Sequence, residues 1–181
     1  KPISTTSEAA QNWFDRGIQL VYGFNHDAAV HAFARAAQED PECAMAWWGI
    51  AYSYGVDVNN PDVSELEAQY ANVAINEAIR LKANATPAEL SLIEAAAFRA
   101  VYPLPEDRTE IDMSYSQAMS RAWDAHQDDP DIGAMYAESL MNMQRWDYWG
   151  ADGEPLGNTE ELLSALENAM ALNNFHPGAN H

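Results

Sequence analysis

One spacing pattern recurs four times along the chain and limits the folds open to it. Small residues, with an occasional aromatic or leucine, step by four, three and five positions: Ala29, Phe33, Ala36, Pro41, then Ala74, Ala78, Leu81, Thr86. The same frame returns as Ala118, Ala122, Ala125, Pro130 and as Ala165, Ala169, Leu172, Pro177. The copies begin at positions 29, 74, 118 and 165, so they are 45, 44 and 47 residues apart. Steps of three and four keep to one helical face, and small side chains on that face let a second helix come close. Each stripe ends at a helix restart. Asp40-Pro41, Thr86-Pro87 and Asp129-Pro130 set a capping residue before proline at the first helical position. Thr86 with Glu89 reads as a capping box, and His176-Pro177 is a fourth restart with a weaker capping residue.

Helical segments follow three of these prolines: "ECAMAWWGIAYSYG", "AELSLIEAAAFRAV" and "DIGAMYAESLMNM". Six residues past the proline stand Trp47, Ile93 and Tyr136, placed to plug the space within a helix pair. The leading helix "SEAAQNWFDRGIQLVYG" offers Trp13 and Gly17 at the corresponding positions. No stretch alternates β-branched residues long enough to suggest a sheet. The expectation is an all-α chain of eight helices in four antiparallel pairs, roughly 7–38, 41–81, 86–127 and 130–173.

Trp13, Gly17, Leu20, Ala29, Phe33, Ala36 and Pro41 fall at the spacings of the tetratricopeptide repeat (TPR) signature, and the first copy resembles that family in residue type as well. Later copies stretch the unit from the family's 34 residues to about 45. The excess lies between the helices of a pair, in "VDVNNPDVS", "YPLPEDRTEID" and "RWDYWGADGEPLGN". Such insertions gather on one edge of an array, where repeat proteins often carry function. The phrases "GFNHDAAVHAFARAAQEDPECAMAWWG" and "HPGANH" also resemble a group of bacterial TPR-containing proteins. The resemblance implies a right-handed TPR-like α-solenoid forming a single helical repeat domain over residues 1–181. It supplies no reaction. Because the fourth stripe stops at "HPGANH", the pattern expects the array to continue or to be capped beyond His181.

Charge narrows the partners. Nine Lys plus Arg stand against 28 Asp plus Glu, a formal charge of −19, so the surface repels phosphate backbones and anionic headgroups. Nucleic acid and membrane insertion are therefore not expected. Cys43 is the only cysteine, which removes an intrachain disulfide and a thiolate metal cluster. No run of about 18 apolar residues is present. If Lys1 is a processed mature start, a periplasmic or secreted location is favoured.

Three functional readings follow. The first is a protein-binding or assembly module without catalysis, whose partner is a protein segment or peptide lying in a concave groove. One step beyond the packing positions, the repeat frame turns Phe14, Ile18, Tyr22, Met45, Trp48, Tyr52, Met141 and Arg145 into that groove. Aromatic residues and arginine are the types enriched at binding hot spots. A second reading is a metal-binding protein or enzyme, in which His26, His176 and His181 hold a divalent metal with residues from beyond the chain. His31 lies five residues from His26, so on a helix it points elsewhere. The third is a structural subunit that docks its last helix pair on a neighbour, forming an oligomer or larger assembly through Leu162, Leu166 and Phe175. Catalysis has no motif to rest on, since the chain lacks a G-x-S-x-G elbow and a glycine-rich phosphate loop.

Overall fold

A computed structural model describes residues 1–181 and is all-helical, with no strand and one isolated bridge between Trp149 and Pro155. The helices are α1 (Glu8–Tyr22), α2 (His26–Glu39), α3 (Ala44–Ser53), α4 (Glu65–Leu81), α5 (Pro87–Arg99), α6 (Thr109–Ala125), α7 (Pro130–Met143), α8 (Thr159–Leu172) and the short α9 (Pro177–Asn180). Consecutive helices pack as pairs, α1 with α2, α3 with α4, α5 with α6 and α7 with α8. Helix α3 touches both α1 and α5.

Local chemistry sets the helix starts. Ser7 caps α1 by accepting the Ala10 N–H, and Asn25 caps α2 by accepting the Ala28 N–H. Thr86 and Glu89 close a capping box at α5, with Pro87 in the first turn, an arrangement that satisfies two otherwise orphaned backbone donors. Asp129 accepts from Asp131 and Ile132 at the start of α7. At α9 the cap is an imidazole: His176 Nδ1 accepts the Ala179 N–H at 3.0 Å. The Asp40-Pro41 restart differs from expectation. Asp40 ends α2, its carboxylate accepts the Glu42 N–H at 3.1 Å, and Pro41 sits in the resulting turn, so α3 begins three residues later at Ala44.

The core is built on one aromatic wedge. Phe33 of α2 is fully buried and projects between Gly17 of α1 and Gly49 of α3. A Cβ on Gly17 would lie 2.5 Å from the Phe33 ring, and one on Gly49 only 2.4 Å. Phe33 therefore does the plugging expected of Trp13 and Trp47, both of which are half-buried. Trp13 lies under the guanidinium groups of Arg16 and Arg35, and Trp47 donates its indole N–H to the Pro41 carbonyl. Ile93 and Tyr136 are buried.

Large side chains of α1, α2 and α3 pack on one another. From Phe33 the aromatic packing runs to Phe14 (5.3 Å between centroids), on to Trp48 (6.5 Å) and then to Tyr52 (5.1 Å). The Trp48 indole N–H donates to the Leu92 carbonyl of α5 at 3.1 Å. Side chains tie α7 and the segment after it to the carboxyl-terminal ends of α1 and α3: Tyr22 meets Asp131, Tyr52 meets Glu138, and beyond the helix Arg145 reaches the Asp57 carbonyl. Residues 1–7 lace the structure further. Ile3 is buried, Ser4 donates through its N–H and hydroxyl to Glu89, and Lys1 Nζ bonds Asp129.

Intrinsic helix propensity favours Gly→Ala by roughly 1 kcal/mol, whereas the Phe33 wedge forbids a methyl group at Gly49. Gly49→Ala is expected to destabilise the protein by about 1–3 kcal/mol, read as a lower urea midpoint. An unchanged or raised midpoint would show that Phe33 does not fill this slot.

Candidate functional site

Between the ends of α1 and α3 and the side of α7, the chain leaves a cavity of about 440 Å³. Five pieces of sequence meet around it. The end of α1 and the turn after it give Tyr22 and Phe24, and the first residue of α2 gives His26. Tyr52 closes α3, and the insertion behind it adds Asp57, Val58 and Asn59. Helix α7 contributes Met135, Glu138 and Met141, the insertion behind it Trp146, and the C-terminal turn Gly178 to His181. Gly178 is required by closeness, because a Cβ there would stand 2.5 Å from the Tyr22 ring.

Two of these residues carry backbone strain. Phe24 (φ 54°) and Trp146 (φ 64°) are the only non-glycine residues with positive φ, and both line the cavity. Left-handed conformations of bulky side chains cost on the order of 1–3 kcal/mol each and collect at functional sites. The strain holds both rings at the mouth. Phe24 is 37% exposed and Trp146 69%, while the Phe24 ring lies 5.0 Å from His181 and 6.3 Å from His26.

The polar lining is the carboxylates of Asp57 and Glu138, the imidazoles of His26 and His181, the amides of Asn59 and Asn180 and the hydroxyls of Tyr22 and Tyr52, with no lysine or arginine. Glu138 accepts the Tyr52 hydroxyl at 3.3 Å on one oxygen and the Asn142 amide on the other. Burial pushes its carboxyl above the ordinary range, and the nearby positive charge of Arg99 offsets this only in part. Arg99 lies behind the wall, 4.7 Å from each of the Tyr52 and Tyr115 rings, and donates to the Val56 carbonyl at 2.6 Å. Its NH1 approaches Glu138 only to 3.9 Å, and neither its Nε nor its NH1 makes a hydrogen bond. Burial opposes the Arg99 charge, but Tyr115, Glu138 and Tyr52 more than compensate and raise its pKa. Burial pushes the Tyr115 hydroxyl up to about 12. Asp57 uses one oxygen for the N–H groups of Asn59 and Asn60, and its other oxygen stands 3.6 Å from His26 Nε2. His26 Nδ1 pairs with the Ser53 carbonyl at 3.3 Å.

The residues expected to line a groove divide into two groups. Phe14, Ile18, Met45 and Trp48 are buried in the core, which corrects their assignment as exposed anchors; Phe14 packs on Phe33 and Trp48, and Trp48 is bonded to α5. Tyr22, Tyr52 and Met141 line the cavity instead. Tyr52 is only 4% exposed, so it too is no free anchor. Arg145 turns to the Asp57 carbonyl at 3.4 Å, outside the lining.

The histidines divide as well. His26 and His181 share the cavity, whereas His176 is buried with both ring nitrogens engaged, Nδ1 as the α9 cap and Nε2 on Asp131 at 3.1 Å. The three do not form one ligand set, and no three His, Cys, Asp or Glu side chains are grouped to hold a metal ion. His31 is exposed. The apolar trio of the last pair is also dispersed: Leu162 is buried, Leu166 lines the cavity and Phe175 is 85% exposed. No helix is long and apolar enough to cross a membrane. Neither the protein-family models nor the curated proteins include a match to the chain.

Sequence reasoning missed Phe24, Asp57, Glu138 and Trp146 as site residues. Two of them lay inside insertions already marked as edge segments. Glu138 had a weaker signal, a lone acid in the apolar run "IGAMYAESLM" of α7.

One network fixes α7 over α1. Asp131 accepts from Tyr22 and His176 and lies 3.5 Å from Lys1 Nζ. Burial alone would raise its pKa, but His176, Lys1 and Tyr22 together hold the carboxyl well below the usual carboxylate range. Its proton therefore leaves at lower pH in the folded chain than in the unfolded one. The resulting stability is complete above about pH 4 and is lost as pH falls through the folded value. Asp131→Asn is expected to cost on the order of 2 kcal/mol at pH 7 and progressively less below pH 4, measured by urea unfolding of both proteins. A difference independent of pH would sink this assignment.

Proposed function

We propose that this protein is a TPR-like solenoid serving as a binding module without catalysis of its own, and that its ligand enters the cavity between α1, α3 and α7. The solenoid reading draws support from the pairing of consecutive helices and the restarts at Pro87, Pro130 and Pro177. The single observation carrying the binding reading is the pair of strained aromatics, Phe24 and Trp146, held at the mouth of one cavity. A chain sustains such strain where neighbouring structure over-determines it, and here both strained rings face the same space. The volume lies within the range of small-molecule sites. It suits a compact ligand better than the extended peptide a concave groove would take.

The mixture of walls points the same way. Apolar and aromatic side chains dominate, and a few polar groups converge from separate elements, the composition typical of ligand pockets. An NMR screen of a mixed small-fragment library, with methionine methyls labelled, tests the reading. Hits are expected to shift Met135 and Met141 and to disappear in Ala134→Trp, which fills the cavity from α7. Hits that leave both methyls unmoved, or a library with no hits, would place the ligand site elsewhere.

A further inference from the structure

The chemistry of the lining selects among ligands. An anion would need lysine, arginine or a cluster of N–H donors, and no lysine or arginine lines the cavity. Two carboxylates do. Glu138 has one hydroxyl and one amide donor, with Arg99 too far to bond. Asp57 keeps one oxygen without a hydrogen-bond donor, with His26 Nε2 3.6 Å away. Both acids thus retain capacity to accept, and Glu138 does so from a mostly buried position where charge-assisted bonds are strongest.

Among the lining residues are aromatic side chains from three places in the sequence: Tyr22 with Phe24, Tyr52, and Trp146. Aromatic faces attract cations through their quadrupole, most when the cation is desolvated. This chain already shows the preference internally, since Arg99 is held between the Tyr52 and Tyr115 rings. The net charge of −19 also draws cations toward the molecule before any contact forms.

We propose that the ligand is a small organic ammonium ion, its charged end at Glu138 and Asp57 and its apolar body against Phe24 and Trp146. The proposal rests on the cavity being the binding site, and its test separates the two. Three probes share one body and differ in charge: phenethylamine, 2-phenylethanol and 3-phenylpropionate. Titrations followed through the Met135 and Met141 methyls and Trp146 fluorescence are expected to rank the amine about tenfold tighter than the alcohol, with the carboxylate weakest. Glu138→Gln is expected to abolish the amine's advantage over the alcohol when both are titrated into the same variant, with urea unfolding showing that the variant is folded. Asp57→Asn is expected to lower the amine selectively and to a smaller extent. Equal or tighter binding of the alcohol or the carboxylate overturns the ammonium assignment and leaves the cavity standing as a site. Absence of binding by all three also overturns it, whereas the cavity itself falls only if the fragment screen fails.

Discussion

The side-chain contacts that α7 and the segment behind it make with the ends of α1 and α3 are the constraint on which the candidate site depends, because they wall the cavity between these helices. Asp131 holds one end, where it gathers Tyr22, His176 and Lys1 around a single carboxylate. Glu138 holds the middle against Tyr52, and the Arg145–Asp57 contact lies beyond the last turn. Charge-assisted bonds suit this task because their geometry is directional, whereas apolar contact alone would let the helices slide.

Behind the cavity lies a costly arrangement. Arg99 is fully charged, almost wholly buried and incompletely hydrogen-bonded, and Glu138 is near it without a direct bond. Such groups are poor sources of stability, because desolvation offsets most of the attraction. Their place beside a cavity walled by aromatics and strained turns is more consistent with a site than with a core optimised for packing. The proposed ammonium ligand would give Glu138 the partner that Arg99 does not supply.

Much of the local fold was legible in the sequence. Thr86, Asp129 and the prolines after them locate the starts of α5 and α7 because capping is decided by a few adjacent residues. The small-residue stripes pass through Ala29, Ala74, Ala118 and Ala165, each now buried against a neighbouring helix. Local signals failed at Asp40-Pro41, which carries the letters of a restart but closes α2 and turns before α3 begins. The site was legible only in fragments. Tyr22, Tyr52, Met141, His26 and His181 were singled out for separate reasons, and they meet around one space.

What the sequence determined by itself was the all-helical character, the positions of most helix ends and the faces that must be buried, since these follow from capping chemistry and from periodicity within a few turns. Tertiary structure alone decided that Phe33 rather than Trp47 fills the inner slot, that Trp48 belongs to the core, and that His176 caps a helix while His26 faces a cavity. Those outcomes depend on how sharply successive pairs rotate against one another. Small packing differences at each pair add up over four pairs, and no local pattern records their sum.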